Sequence, residues 1–171
     1  MDQLKKKIRH VADFPKAGIL FYDITTLLRD AAGFRTSIDS LIAPFKNSDV
    51  DLVVGMESRG FIFGAVVADR LGCGFVPVRK VGKLPAKTRR ATYALEYGTD
   101  SLEIHDDAVM PGQRVLIVDD LLATGGTAKA TLDLVKGSEG VVVGLAFLIE
   151  LIGLDGRSRL TGENVHAVLK Y

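Results

Sequence analysis

The segment RVLIVDDLLATGGTAKA, residues 114–130, limits the folds open to this chain more than any other. Four apolar residues, Val115 to Val118, run straight into the adjacent carboxylates Asp119 and Asp120, and these lead to Thr124-Gly125-Gly126-Thr127. The apolar run reads as a buried strand. Carboxylates at the end of such a strand are costly unless a cationic or hydroxyl-rich partner meets them. The residues that follow bring small side chains and backbone N–H groups, which suit an anion. One short unit therefore joins an acid pair to an anion-binding turn.

The rest of the chain supplies the setting for that unit. DLVVG (51–55), GFVPVRK (74–80), RVLIVDD (114–120), VVVGLAFLIEL (141–151) and NVHAVLK (164–170) read as strands. GFRTSIDSLIAPF (33–45), FIFGAVVADRLG (61–72) and TAKATLDLVKG (127–137) carry helical spacing, with Gly72 and Gly137 as stops. Strands alternating with helices predict an α/β fold, a mostly parallel twisted sheet flanked by helices. Ligands of such sheets bind at the carboxyl ends of strands, in the loops that enter helices. The opening segment lies at such an edge. At the start of the chain, Leu4, Ile8 and Val11 predict one apolar side of a short helix, and DFPKAGILFYDITTLL (13–28) a covering loop. No repeat, low-complexity tract or linker divides the chain, so 1–171 is expected to form one domain.

Bulk properties exclude several classes of function. The net charge is +1, so no global field recruits nucleic acid or an anionic membrane. No apolar stretch reaches the ~18–20 residues that span a bilayer. The single cysteine, Cys73, permits no internal disulfide and reads as a small buried hydrophobe. The expected location is the cytoplasm.

Thr124 to Thr127 open a predicted helix, where unpartnered N–H groups and the helix dipole favour a phosphate. No Gly-Lys-Ser/Thr follows, so this is not a nucleoside triphosphate loop, and it is not the dinucleotide fingerprint. The preceding aspartates suggest that the phosphate sits on a sugar. Carboxylates accept hydrogen bonds from vicinal hydroxyls and are within reach of a hydroxyl-bound Mg²⁺.

VLIVDDLLATGGT resembles the phosphoribosyl pyrophosphate motif of the type I phosphoribosyltransferases, in the version used by their adenine-specific branch. Four further blocks share the resemblance in order: DFPKAGILFYDIT, GMESRGFIFG (55–64), RKVGKLP (79–85) and YALEYGTDSLEIH (93–105). The resemblance implies a reaction in which adenine and phosphoribosyl pyrophosphate give AMP and pyrophosphate, with Mg²⁺ as cofactor and no metal ligand directly from the protein. It implies a homodimer, a hood over about 1–33 and a flexible flap over about 80–105. Asp119 and Asp120 would bind the ribose hydroxyls, and Ala123, Thr124, Gly125, Gly126 and Thr127 the 5′-phosphate. The turn with Glu57, Ser58 and Arg59 would lie against pyrophosphate, joined by Lys80 and Lys83. Glu96 and Tyr97 would approach the anomeric carbon, and Leu20 and Leu121 would stack on the base.

Ala123 stands where hypoxanthine–guanine enzymes carry an aspartate, which argues against a 6-oxopurine substrate of that type. Ala17 and Tyr22 depart from the commonest hood pattern, which has proline and arginine there. Two alternatives stay open at this point: transfer to another purine such as xanthine, or a non-catalytic phosphoribosyl pyrophosphate sensor. Sensors of that kind add a DNA-binding domain, for which ~60–80 further residues would be expected.

Overall fold

Successive side chains of a strand point to opposite faces, so the apolar runs above need cover on both sides. The computed structural model describes residues 2–94 and 98–171 and shows how this cover is arranged. The chain begins with α1 (Asp2–Lys5), β1 (Arg9–Ala12), β2 (Leu20–Asp23), α2 (Thr25–Arg29) and α3 (Ala31–Ile42). It continues with β3 (Leu52–Met56), α4 (Gly60–Leu71), β4 (Gly74–Lys80), β5 (Thr88–Ala94) and β6 (Thr99–His105). The last elements are β7 (Arg114–Leu122), α5 (Gly126–Gly137), β8 (Val141–Glu150) and β9 (Val165–Lys170).

Seven strands form one sheet in the order β5-β6-β4-β3-β7-β8-β9. The run from β4 to β9 is parallel, and β6 and β5 add an antiparallel ladder at one edge. Alternation divides the core between the faces. Val53, Leu116, Val118, Ala146 and Leu148 pack with Ile38 and Leu41 of α3 and Phe63 and Val67 of α4. Val54, Met56, Val115, Ile117, Leu145 and Phe147 meet Ala128, Leu132 and Val135 of α5. Both faces are thus buried, as the unbroken apolar strands require. Gly72 closes α4 in the left-handed conformation, φ 71°, a geometry that costs glycine little.

Two expectations need correction. The N-terminal helix ends at Lys5, and Arg9–Ala12 instead forms a strand antiparallel to Leu20–Asp23. A helix of one turn does not propagate unaided, whereas the ladder to β2 gives residues 9–12 backbone partners. Ile8 is buried as expected, but Val11 lies on this two-stranded unit rather than on a helix. The supposed covering loop 13–28 accordingly contains β2 and α2.

Within the 80–105 segment, β5 and β6 form an antiparallel ladder that pairs from Thr88↔His105 to Ala94↔Thr99. Its arginines are matched by acids on β6 and directly after it: Arg90 to Glu103 at 2.9 Å and Arg89 to Asp106 at 2.6 Å. Leu102 and Ile104 turn inward to join the α5 side of the core. Among the described residues, no helix is long and apolar enough to cross a membrane.

Candidate active site

Strands β3 and β7 are parallel neighbours, so both deliver the chain to the same edge of the sheet. From β3 it turns through Glu57, Ser58 and Arg59 into α4. From β7 it turns through Ala123, Thr124 and Gly125 into α5. Between the two turns lies a cavity of about 330 Å³, whose walls include Glu57, Ser58, Arg59, Asp119, Asp120, Leu121, Ala123, Thr124, Gly125, Gly126 and Thr127. Sequence reasoning had placed these eleven together, and the fold does bring them to one cavity. Leu20, Lys80 and Lys83 are not among its walls. Glu96 and Tyr97 lie outside the described residues.

The acid pair is built from two elements. The Asp120 carboxylate meets the Arg59 guanidinium, Nε to Oδ2 at 2.8 Å, and the Asp120 N–H donates to Asp119 Oδ1 at 2.8 Å. Burial pushes the Asp119 carboxyl well above the usual carboxylate range, and the charge of Asp120 pushes it further. Burial also raises Asp120, with Arg59 pulling against it. Arg59 itself lies over the ring of Phe21 in β2, 5.3 Å from its centroid, which ties the N-terminal ribbon to the site.

Gly60 escaped sequence reasoning. A Cβ there would sit 2.6 Å from Asp119 Oδ1, so only glycine lets α4 begin against this acid. The available signal was a glycine directly after MESR at the head of a predicted helix.

The anion turn has a similar backing. Gly125 caps α5 with φ 80°, and a Cβ on it would collide with the carbonyl oxygen of Gly156. A Cβ on Gly156 would in turn collide with the carbonyl oxygen of Ala123. Two glycines distant in sequence therefore hold the turn against the 3₁₀ segment Gly156–Leu160. Lys129 is the first residue of α5 whose N–H reaches a helical acceptor, Gly125 O at 2.9 Å. The N–H groups before it lack intrahelical partners and, with the dipole, favour an anion. The Thr127 hydroxyl contacts the Tyr93 phenol oxygen at 3.4 Å.

Glu57 borders the cavity but spends both oxygens elsewhere. Arg79 donates to them at 2.9 and 3.2 Å, and the Lys80 N–H donates to Oε2 at 3.0 Å. The Arg79 hydrogen bonds hold this carboxyl below the usual range. Arg79 also donates to the Lys83 carbonyl at 3.2 Å, so it joins the Glu57 turn to the loop after β4. The Lys80 ammonium lies 3.4 Å from Asp100 Oδ2. Arg79 was not singled out in the sequence, although it opens the RKVGKLP block. Tyr22 packs against His10 and Tyr171, with ring centroids 5.1 and 4.3 Å away. Aromatic packing therefore occupies the position where arginine is usual. Among the described residues, no group of three or more His, Cys, Asp or Glu side chains is arranged to hold a metal ion.

A profile of the phosphoribosyl transferase domain matches residues 24–164. The adenine phosphoribosyltransferase of Solibacter usitatus is 59% identical over 171 residues, covering 100% of this chain and 99% of that protein. The chain belongs to the adenine phosphoribosyltransferase family. The crystal structure of the Thermoanaerobacter pseudethanolicus adenine phosphoribosyltransferase superposes with a TM-score of 0.97 at 54% identity, covering 99% of both chains. That of the Saccharomyces cerevisiae enzyme, complexed with an imino-altritol bisphosphate and adenine, has a TM-score of 0.93 at 42% identity, covering 98% of this chain and 97% of the other.

Two consequences of this geometry are measurable. Because burial raises Asp119, the folded chain keeps its proton to higher pH than the unfolded chain does, and stability falls as pH rises between the two values. Asp119→Asn is expected to melt above wild type at pH 8, by about 2–4 °C per kcal/mol relieved. The gain should vanish below the ordinary carboxylate range, where Asp119 is protonated in both states. A thermal melt at pH 8 no higher than wild type would contradict this. Gly60→Ala, which forces Asp119 aside, is expected to lower kcat/KM by about 10²-fold in steady-state kinetics. Unchanged kinetics would show that the close approach does not matter.

Proposed function

We propose that this chain transfers the 5-phosphoribosyl group of phosphoribosyl pyrophosphate to adenine, giving AMP and pyrophosphate, as a purine-salvage enzyme. The observation that carries the reading is the Asp119–Asp120 pair opening on the same cavity as the N-terminus of α5. A single ligand satisfies both features when it has vicinal hydroxyls and a phosphate on one sugar. Similarity to adenine phosphoribosyltransferases along the whole chain supports adenine as the acceptor.

In this reading the carboxylates of Asp119 and Asp120 accept hydrogen bonds from the ribose hydroxyls and fix the sugar. Thr124, Gly125, Gly126 and Thr127 donate to the 5′-phosphate, beside the small side chain of Ala123. The bond between the anomeric carbon and the pyrophosphate oxygen breaks as the bond to the adenine ring nitrogen forms. The proton on that nitrogen must leave, and positive charge grows on the ribose ring. Glu96 takes the proton or steadies the charge, with Tyr97 beside it. Arg59, Ser58 and the Lys80 and Lys83 side chains receive the departing pyrophosphate, while Glu57 shapes their two loops through Arg79. Leu20 and Leu121 bracket the base. The ribbon and helices of about 1–33 act as hood, and about 80–105 as the flap that excludes water.

Among the described residues, Arg59 is the cation paired with this acid pair, so negative charge near Asp119 and Asp120 suits a Mg²⁺ carried by phosphoribosyl pyrophosphate and water. Mg²⁺ bound with the substrate would offset the charge of the leaving pyrophosphate. A cytoplasmic homodimer completes the proposal.

A panel of adenine, hypoxanthine, guanine and xanthine, with phosphoribosyl pyrophosphate and Mg²⁺, tests it. Adenine alone is expected to release pyrophosphate and yield AMP. Consumption with xanthine instead would transfer the assignment to that base, and binding without turnover on any base would favour a sensor. Within an active enzyme, Glu96→Ala is expected to lower kcat by about 10²-fold or more with little change in KM, as for a contact made mainly in the transition state. An unchanged kcat would remove Glu96 from the chemistry.

A further inference from the structure

One acid of the β5–β6 ladder has no part in the proposed reaction. Asp100, near the start of β6, is paired across the ladder with Tyr93. Its Oδ1 accepts the Ser101 N–H at 2.8 Å, which fixes the carboxylate. Its Oδ2 faces two donors, the Lys80 ammonium at 3.4 Å and the Tyr93 hydroxyl at 3.3 Å. The Tyr93 oxygen receives the Thr127 hydroxyl from the phosphate turn at 3.4 Å. A continuous polar chain thus runs from the cavity wall through Tyr93 and Asp100 to Lys80.

The members of this chain have different freedom. Tyr93 is held between strand and turn, and burial pushes its phenol up, so it remains a hydroxyl donor. The Ser101 N–H and then Lys80 hold the Asp100 carboxyl below the usual range, so it remains an anion. The Lys80 side chain is 62% exposed, so little packing holds it in place. Lys80 also ends β4, on the edge of the sheet where Glu57, Ser58 and Arg59 follow β3. With Asp100 as its partner, its side chain is absent from the cavity walls.

We propose that Asp100 is a positioning residue that acts as an internal competitor for the pyrophosphate group, holding the Lys80 ammonium on its carboxylate until pyrophosphate oxygens displace it. The inference rests on the function proposed above. When pyrophosphate enters, Lys80 exchanges one anion for another, so its net contribution to affinity is reduced. When pyrophosphate leaves, Asp100 takes the ammonium back, which favours release of a highly charged product. Because the pair is exposed, the competition is modest, a few-fold in affinity.

Calorimetric titration of the full-length protein with pyrophosphate and Mg²⁺ tests this. Asp100→Asn keeps an acceptor for the Ser101 N–H and removes the charge. It is expected to tighten pyrophosphate binding about two- to fivefold. In a Lys80→Met background the same substitution is expected to leave the dissociation constant unchanged, because the competition operates through that ammonium. No tightening in the wild-type background would overturn the proposal. Equal tightening in both backgrounds would do so as well, since it would mean that Asp100 only repels the anion through space. Failure of the function reading has a separate signature: no AMP from adenine, while the Lys80-dependent shift in pyrophosphate binding persists.

Discussion

Two neighbouring carboxylates at the end of a central strand, Asp120 buried and Asp119 half-buried, are the constraint around which this protein is arranged. Asp119 and Asp120 occupy a position that burial makes unfavourable for charge, and the charge of Asp120 adds to the cost of ionising Asp119. The surroundings answer that cost only in part. Arg59 pairs with Asp120, and Asp119 receives the Asp120 N–H. What remains unpaired is acceptor capacity facing a cavity, which is the property a sugar with adjacent hydroxyls would use. In the proposed function, stability given up at this point serves binding.

The loops around the pair are held by contacts between distant parts of the chain. Gly60 lets α4 start beside Asp119, and Gly125 and Gly156 let two loops meet without side chains between them. Arg79 clamps Glu57 and the Lys83 carbonyl, which ties the loops after β3 and β4 together. Phe21 under Arg59 brings the N-terminal ribbon into the same assembly. In each case a rigid backbone framework presents the polar groups, as low-cost binding of a charged ligand demands.

Much of this was legible in the sequence, for identifiable reasons. Apolar strands without alternation announce a two-sided sheet, and Val115 to Val118 running into Asp119 placed the site at its edge. Among the described residues, those that line the cavity come from two contiguous stretches, 57–59 and 119–128, so local motifs bring them within reach of the sequence. The N-terminal ribbon was misread because Leu4, Ile8 and Val11 fit helical spacing, while the partner strand that decides the matter, Leu20–Asp23, lies on the far side of a Pro- and Gly-containing turn. Gly60, Gly156 and Arg79 were not legible because their roles depend on what approaches them in three dimensions. The Asp100–Lys80 pair belongs with these. It forms through a ladder whose strands carry too many charged residues to reveal their inward Leu102 and Ile104.

Burial strains the acid pair, and in the proposed function a ribose phosphate relieves that strain. A carbon-detected NMR titration of the Asp119 and Asp120 carboxyl groups, free and with saturating AMP, tests this most directly. In the free protein both should titrate above the ordinary carboxylate range, and AMP should lower both as its hydroxyls donate to them. Ordinary values in the free protein, or values that AMP leaves unmoved, would contradict it.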